Sequence, residues 1–269
     1  MRRTLANGCL VLLMIPAALL AYFWFTVWHT GHENDRRRQD ALDSLLDQAH
    51  EAADRTTDAL TRSGDTGTDA LTGVVWKHTR SPVITYDEER RAFTAVAARA
   101  AMVEQESVLL AIGPDMVKRC FTYTYVRRPG PGWTSKVTEQ DAEVCGGSSW
   151  IGDRARIAQE EMEGMEEREA ARLTRAGLQQ ALDPAARPGG EKWADVRSVV
   201  REERTVVAVV LLRYPDRYRS PSSPPSRSRS RSRSQGDGAA PVEQCYRLTR
   251  FLGLQGVGKP VTAVPVTAC

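Results

Sequence analysis

From Cys9 to Trp28 the chain is apolar without a single charged residue. At about 1.5 Å per residue a helix of that length spans roughly 30 Å, the thickness of a bilayer's hydrocarbon core. The run therefore predicts a transmembrane helix, mildly kinked at Pro16, with Tyr22, Phe23, Trp24, Phe25 and Trp28 at the membrane interface. Gly31 and Asn34 predict a break, and a second helix follows from about Asp35. In it Leu42, Leu45, Ala49, Ala52, Thr56 and Ala59 recur at alternating spacings of three and four, with Asp and Arg on the other faces. Such a stripe suits a coiled-coil homodimer formed through the stalk. It equally suits a solvated stalk, or a helix docked on its own domain. Ser63-Gly-Asp-Thr-Gly ends this helix in a loop.

The pattern then changes several times. Val74–Thr79 is too short to assign, though it could be an edge strand. Thr85 and Glu88 form a capping box, predicting a helix that runs to Ile112. Its stripe is Phe93, Val96, Ala100, Val103, Ser107 and Leu110, which makes it the expected principal core helix. Lys118–Arg128 alternates, with Phe121, Tyr123 and Tyr125 on one face, and reads as a strand. Pro129-Gly-Pro-Gly is a turn, and Lys136–Cys145 is expected to return as a second strand. Asp153–Leu182 reads as one long helix with an acidic, solvated middle, ended by Asp183-Pro and Arg187-Pro-Gly-Gly. Thr205–Tyr214 is a continuous β-branched run, short enough for a buried central strand and too short for a second crossing. Gln244–Phe251 and Val261–Val266 are further strands.

These elements predict an α+β fold: one N-terminal transmembrane helix, a helical stalk, then helices packed on a small antiparallel β-sheet. The expected organisation is a short cytoplasmic tail (1–8), the membrane helix (9–28), a juxtamembrane stalk (29–64) and an extracytoplasmic domain (74–214 with 243–269). A Ser/Arg/Pro-rich loop (215–242) interrupts that domain. With almost no apolar residue, the loop cannot bury a core and is expected to be disordered.

Charge refines this picture. The chain carries +3, but four arginines and one aspartate fall within Ser220–Gly238, so the basic character is local. It is no general nucleic-acid-binding surface. The tract Arg219–Ser234 resembles the arginine/serine-rich segments of splicing factors, a resemblance confined to the repeat itself. It implies RNA binding or phosphorylation. Outside a membrane neither partner is available, which leaves anionic envelope polymers or lipid head groups as its expected contacts. Aromatics beside Arg127 and Arg128 could stack single-stranded nucleic acid. A core-facing aromatic row accounts for them better.

A cleavable signal peptide fits the start less well than an anchor does. The apolar run exceeds a usual h-region, and His29-Thr-Gly-His-Glu-Asn offers no small-x-small cleavage site. A lipoprotein reading fails because Cys9 precedes the run. Flanking charge is nearly balanced, Arg2 and Arg3 against Arg36, Arg37 and Arg38, so charge alone does not orient the span. The cysteines do. Beyond Cys9 there are four, Cys120, Cys145, Cys245 and Cys269, an even number suited to an oxidising compartment. Four cysteines allow three pairings. Cys120–Cys145 and Cys245–Cys269 are favoured because each closes a similarly short loop, worth roughly 3 kcal/mol in the chain-entropy model.

No catalytic, cofactor or metal motif emerges. Gly253-Leu-Gln-Gly-Val-Gly-Lys-Pro260 imitates a phosphate-binding loop, but proline stands where Ser or Thr must bind magnesium, and no helix follows. His29, His32 and Glu33 share helical spacing, but zinc sites want three or four ligands from rigid elements, and a role as interfacial polar residues suits them better. His50 and His78 lie in no ligand motif. Ser148-Ser149 is expected in a loop, forms no nucleophile elbow and has no histidine near it in sequence. The expected function is therefore non-enzymatic: an extracytoplasmic domain that binds or supports something, held to membrane lipid by its anchor. A cell-wall-directed hydrolase and a coiled-coil scaffold of a division complex are the alternatives.

Overall fold

A computed structural model describes residues 2–106, 113–130, 132–183, 192–214, 242–253 and 261–269, with backbone alone for residues 2–13 and for Ile15. Leu, Ala, Arg, Asp and Gln, all tolerant of helix, dominate the first stretch beyond the apolar run. The result is a single helix, α1, Arg2–Ser63. The expected break at Gly31 and Asn34 does not occur. One glycine costs a helix about 1 kcal/mol, which its neighbours absorb. Asn34 leaves its own backbone alone and clasps Glu106, donating to the Glu106 carbonyl (2.8 Å) and accepting from its N–H (3.0 Å). Arg37 adds a 2.6 Å ion pair to the Glu106 carboxylate. Among the described residues no helix is long and apolar enough to cross a membrane. The side chains of Cys9–Leu13, where the apolar run begins, lie outside that description.

The elements after α1 are α2 (Thr68–Thr79), β1 (Val83–Asp87), β2 (Ala92–Val103), β3 (Asp115–Arg127) and β4 (Trp133–Gln140). Then come α3 (Ala142–Gly164), α4 (Glu167–Ala170), α5 (Arg175–Leu182), β5 (Ala194–Glu202), β6 (Thr205–Arg213), β7 (Glu243–Phe251) and β8 (Val261–Val266). The strands form two four-stranded sheets, ordered β1-β2-β3-β4 and β5-β6-β7-β8, where the sequence pattern predicts one. The pairings with described register are all antiparallel. The chain divides into two compact units. One comprises residues 1–48 and 99–119, the other 49–98 and 120–269.

In the larger unit the second sheet is the foundation. β6 alternates, with Val206, Ala208, Val210 and Leu212 turned to one face, and β7 adds Tyr246 and Leu248. On that face lie Ile151, Ala155, Ala158 and Met162 of α3, and Leu178 and Leu182 of α5, forming one continuous core. The Gln179 side chain pins α5 to β5. It donates to the Ala194 carbonyl (3.1 Å) and accepts from the Val196 N–H (2.8 Å). Arg250, also buried, turns its guanidinium to the C-terminal end of α3 and donates to the Met162 and Met165 carbonyls. Those carbonyls have no partner within the helix, and a cation there also meets the negative end of the helix dipole. β3 matches its predicted span, and Phe121, Tyr123 and Tyr125 are fully buried. Leu45, Ala49, Ala52, Thr56 and Leu60 of α1 are buried within the single chain.

Four further expectations fail. The helix expected from Thr85 to Ile112 is instead the hairpin β1–β2, with Val83 opposite Val96 and Asp87 opposite Ala92; residues 107–112 lie outside the description. Phe93 and Ala97, four apart, share a face in a helix and in a strand alike, so their spacing does not discriminate. Partnership with β1 does, and Arg91 closes the turn at φ 48°. Val74–Thr79 is no edge strand but belongs to α2, which buries Leu71, Thr72, Val75 and Thr79 at helical spacing. β4 stops at Gln140, so Cys145 stands on α3. The long helix expected over Asp153–Leu182 starts earlier and breaks at Met165 and again before Thr174, which caps α5 by accepting from the Gly177 N–H.

Candidate functional site

The two favoured cysteine pairs come together. Cys120 on β3 meets Cys145, four residues into α3, and Cys245 on β7 meets Cys269. Each pair stands at disulfide distance with Cα atoms 5.6 Å apart, inside the range that bridging requires.

Beside the second pair, β1 approaches β7 and β8 through one side chain. Gln244 is 4 % exposed. Its Oε1 accepts from the Ile84 N–H (2.8 Å), and its Nε2 donates to the Val266 carbonyl (2.7 Å) and the Cys245 carbonyl (3.1 Å). The amide thus joins an edge of the first sheet to the second through three hydrogen bonds to backbone groups. A concavity of about 460 Å³ opens next to it, with Thr85, Leu211 and Cys269 in its wall. The charged groups at its rim are already matched: Arg197 to Asp195 (3.3 Å) and Glu243 to Arg213 (3.0 Å).

A smaller cleft, about 230 Å³, lies between the C-terminal end of α2 and α3, floored by Pro82 and the last strands. Trp76 and Tyr246 supply aromatic walls, and Arg80, Arg156 and Gln159 supply polar groups. The Arg80 guanidinium rests over the Trp76 ring, 4.9 Å from its centroid. Arg80 is also the C-cap of α2, at φ 56° and ψ 27°, its N–H donating to the Trp76 carbonyl (2.8 Å). That left-handed conformation is where glycine normally ends a helix. Arg156 is ion-paired to Glu160 (2.6 Å). Gln159 donates to the Val261 carbonyl (3.1 Å), leaving its amide oxygen to accept. Tyr246 donates its hydroxyl to the Pro82 carbonyl (2.7 Å), and burial raises its pKa, so it remains a donor. A side chain on Gly152 would press on the Pro82 ring, 2.9 Å from Cγ, so only glycine lets α3 lie this close.

The residues singled out in the sequence behave differently. His32 packs edge-on against Trp28 (4.5 Å between centroids) and His29 lies 5.9 Å from Phe25. Among the described residues no group of three or more His, Cys, Asp or Glu is placed to hold a metal ion. Ser148 and Ser149 lie within α3, not in a loop, and the buried Ser148 hydroxyl donates to the Cys145 carbonyl (3.2 Å). Most of the false phosphate-binding loop (254–260) and of the Ser/Arg tract (215–241) lies outside the described residues. Neither the α2–α3 cleft nor the Gln244 bridge carries a local sequence signal, since their members are drawn from as far apart as Trp76 and Tyr246.

No protein-family model matches the chain. No curated protein matches it either. A solved structure described as "Ntf2 like protein involved in plasmid conjugation" aligns over 80 % of this chain and 95 % of that one, at 11 % identity and a TM-score of 0.17. A likeness at that score supports no statement of fold or function, so family membership remains unassigned.

Proposed function

We propose that this is a single-pass membrane-anchored envelope protein with an α+β part outside the membrane that binds or supports another envelope component without catalysis. The observation that carries the reading is the surface of α1 along the apolar run. Met14, Leu19, Leu20, Tyr22, Phe23, Trp24, Phe25, Val27 and Trp28 are all exposed, between 42 and 75 %. Successive helical residues turn by about 100°, so Tyr22 to Phe25 alone place large apolar groups around the whole circumference. A helix docked on a domain needs one apolar stripe, whereas one apolar all round needs an apolar solvent on every side. The two cysteine pairs at disulfide distance favour an oxidising compartment for the remainder. The Ser/Arg tract, a tethered cation by composition, is placed on that same side, where anionic polymers or head groups would meet it.

The test combines extraction with thiol state. The full chain should stay in the membrane pellet under alkaline carbonate, and Leu19→Arg with Leu20→Arg should release it. Cys120, Cys145, Cys245 and Cys269 should resist alkylation in intact cells until a reductant is added. Release of the unmodified chain by carbonate, or four thiols alkylated only after lysis without reductant, defeats the proposal.

A further inference from the structure

We infer that the cleft between α2 and α3 is a binding site for an anionic group carried on a small ring, the chemistry of a carboxylated or phosphorylated monosaccharide. Two observations point there independently. The first is the lining: two arginines, Arg80 and Arg156, line one cavity of about 230 Å³ together with Trp76 and Tyr246. Arginine's planar fork suits carboxylate and phosphate oxygens. Stacking on Trp76 holds the Arg80 guanidinium in place before any ligand arrives, which lowers the entropic cost of binding. Among the described residues Arg80 has no carboxylate partner, while Arg156 shares its charge with Glu160, which a bound anion would displace. The amide oxygen of Gln159, which has no donor among the described residues, can accept from a ring hydroxyl, and the Tyr246 oxygen, already donating to Pro82, retains lone pairs to do the same.

The second observation is the backbone of Arg80. At φ 56° it occupies the left-handed region, which glycine and, less so, asparagine adopt at least cost. Glycine would end α2 with less strain. A long cationic side chain at such a position, on the lining of the cleft and over Trp76, is what a role in binding would use. The cavity is smaller than a usual drug-sized pocket, which restricts the occupant to about one ring and its anionic substituent. The inference does not depend on whether α1 crosses a membrane.

The experiment is titration of the full chain in detergent micelles, followed by calorimetry and tryptophan fluorescence. The probes are glucuronate and glucose 6-phosphate, with glucose, acetate and inorganic phosphate as comparisons. Both ring anions should bind saturably, at least tenfold tighter than any comparison. Arg80→Gln and Arg156→Gln should each weaken binding about tenfold. Glu160→Gln, which removes Arg156's competitor, should tighten it several-fold. Arg80→Gly should melt at a higher temperature than the parent while losing the ring anions at least tenfold, which separates binding from folding. Absence of saturable binding by the folded parent overturns the inference. So does equal binding of glucose, or of bare acetate or phosphate, or indifference to Arg80→Gly in a well-folded variant.

Discussion

Replacing Gln244 by leucine isolates the contribution of one side chain to the junction between the sheets. The change keeps an apolar stem of similar size and removes three hydrogen bonds, at 2.7, 2.8 and 3.1 Å. Each is worth about 1 kcal/mol net when both partners return to water. Here they do not return to water. The backbone groups of Ile84, Val266 and Cys245 stay in the junction and lose the bonds Gln244 gives them, at about 1–3 kcal/mol for each left unsatisfied, while leucine recovers some apolar burial. The balance is a loss of about 3 kcal/mol. With a urea dependence of about 2–3 kcal/mol per molar, the unfolding midpoint should fall by roughly 1–1.5 M. The assay is urea denaturation of the full chain in micelles, read by far-UV circular dichroism, with amide exchange at Ile84 as a local probe. Gln244→Glu keeps an acceptor for Ile84 but turns a carboxylate toward the Val266 carbonyl, and should cost at least as much. Gln48→Leu, on the exposed face of α1, serves as the control and should shift stability by under about 0.5 kcal/mol. If Gln244→Leu behaved like that control, with the Ile84 amide still protected, the reasoning about the bridge would be wrong.

Arg250→Met should destabilise by about 2–4 kcal/mol, because it strips the last carbonyls of α3 of their buried donor; chemical denaturation measures it, and an unchanged midpoint would count against that capping role. His78 has its pKa lowered below the usual 6.5, by burial first and then by Lys77, Arg55, Arg62 and Arg80. The unfolded chain therefore binds the proton more readily, so the contribution is intact above pH 6.5, falls as pH drops below it, and levels off beneath the native value. NMR titration should place the His78 midpoint under 6.5, and His78→Gln should flatten that part of the stability profile. Cys245→Ser with Cys269→Ser opens a link between residues 24 apart and should cost roughly 3 kcal/mol, with the midpoint becoming insensitive to reductant once Cys120 and Cys145 are also replaced.

Strands with β-branched or aromatic character were readable from the chain itself. β3, β6, β7 and β8 fall where the alternation of Phe121, Tyr123 and Tyr125, or the run of valines before Arg213, places them. The hairpin β1–β2 was not readable, because Ala92–Ala101 is rich in alanine, the strongest helix former. What overrides that preference is pairing with β1, a partnership no local window contains. α2 failed in the opposite sense: Val74, Val75 and Trp76 have strand-like character, yet burial of Leu71, Val75 and Thr79 on one face holds a helix. The cysteine pairs were legible through their spacing. The α2–α3 cleft was not, since Arg80 earns notice only from its backbone angle and its position over Trp76.

The pairing of β6 with β7 brings Arg213 opposite Glu243, and the Tyr214 N–H donates to the Val242 carbonyl at 2.9 Å. Chain thus departs and re-enters at one point on the sheet, whatever occupies residues 215–241. Both cysteine pairs respect that boundary, Cys120–Cys145 lying wholly before it and Cys245–Cys269 wholly after. Apart from the backbone itself, no covalent link described here connects the two sides. A single proteolytic cut in the tract would therefore leave a protein in two pieces, held by the β6–β7 ladder and the core beneath it. Those pieces would migrate together on a native gel and separate in denaturant even without reductant. Lengthening the tract should be nearly neutral, because each doubling of chain length between two joined ends adds only about 0.6 kcal/mol to closure.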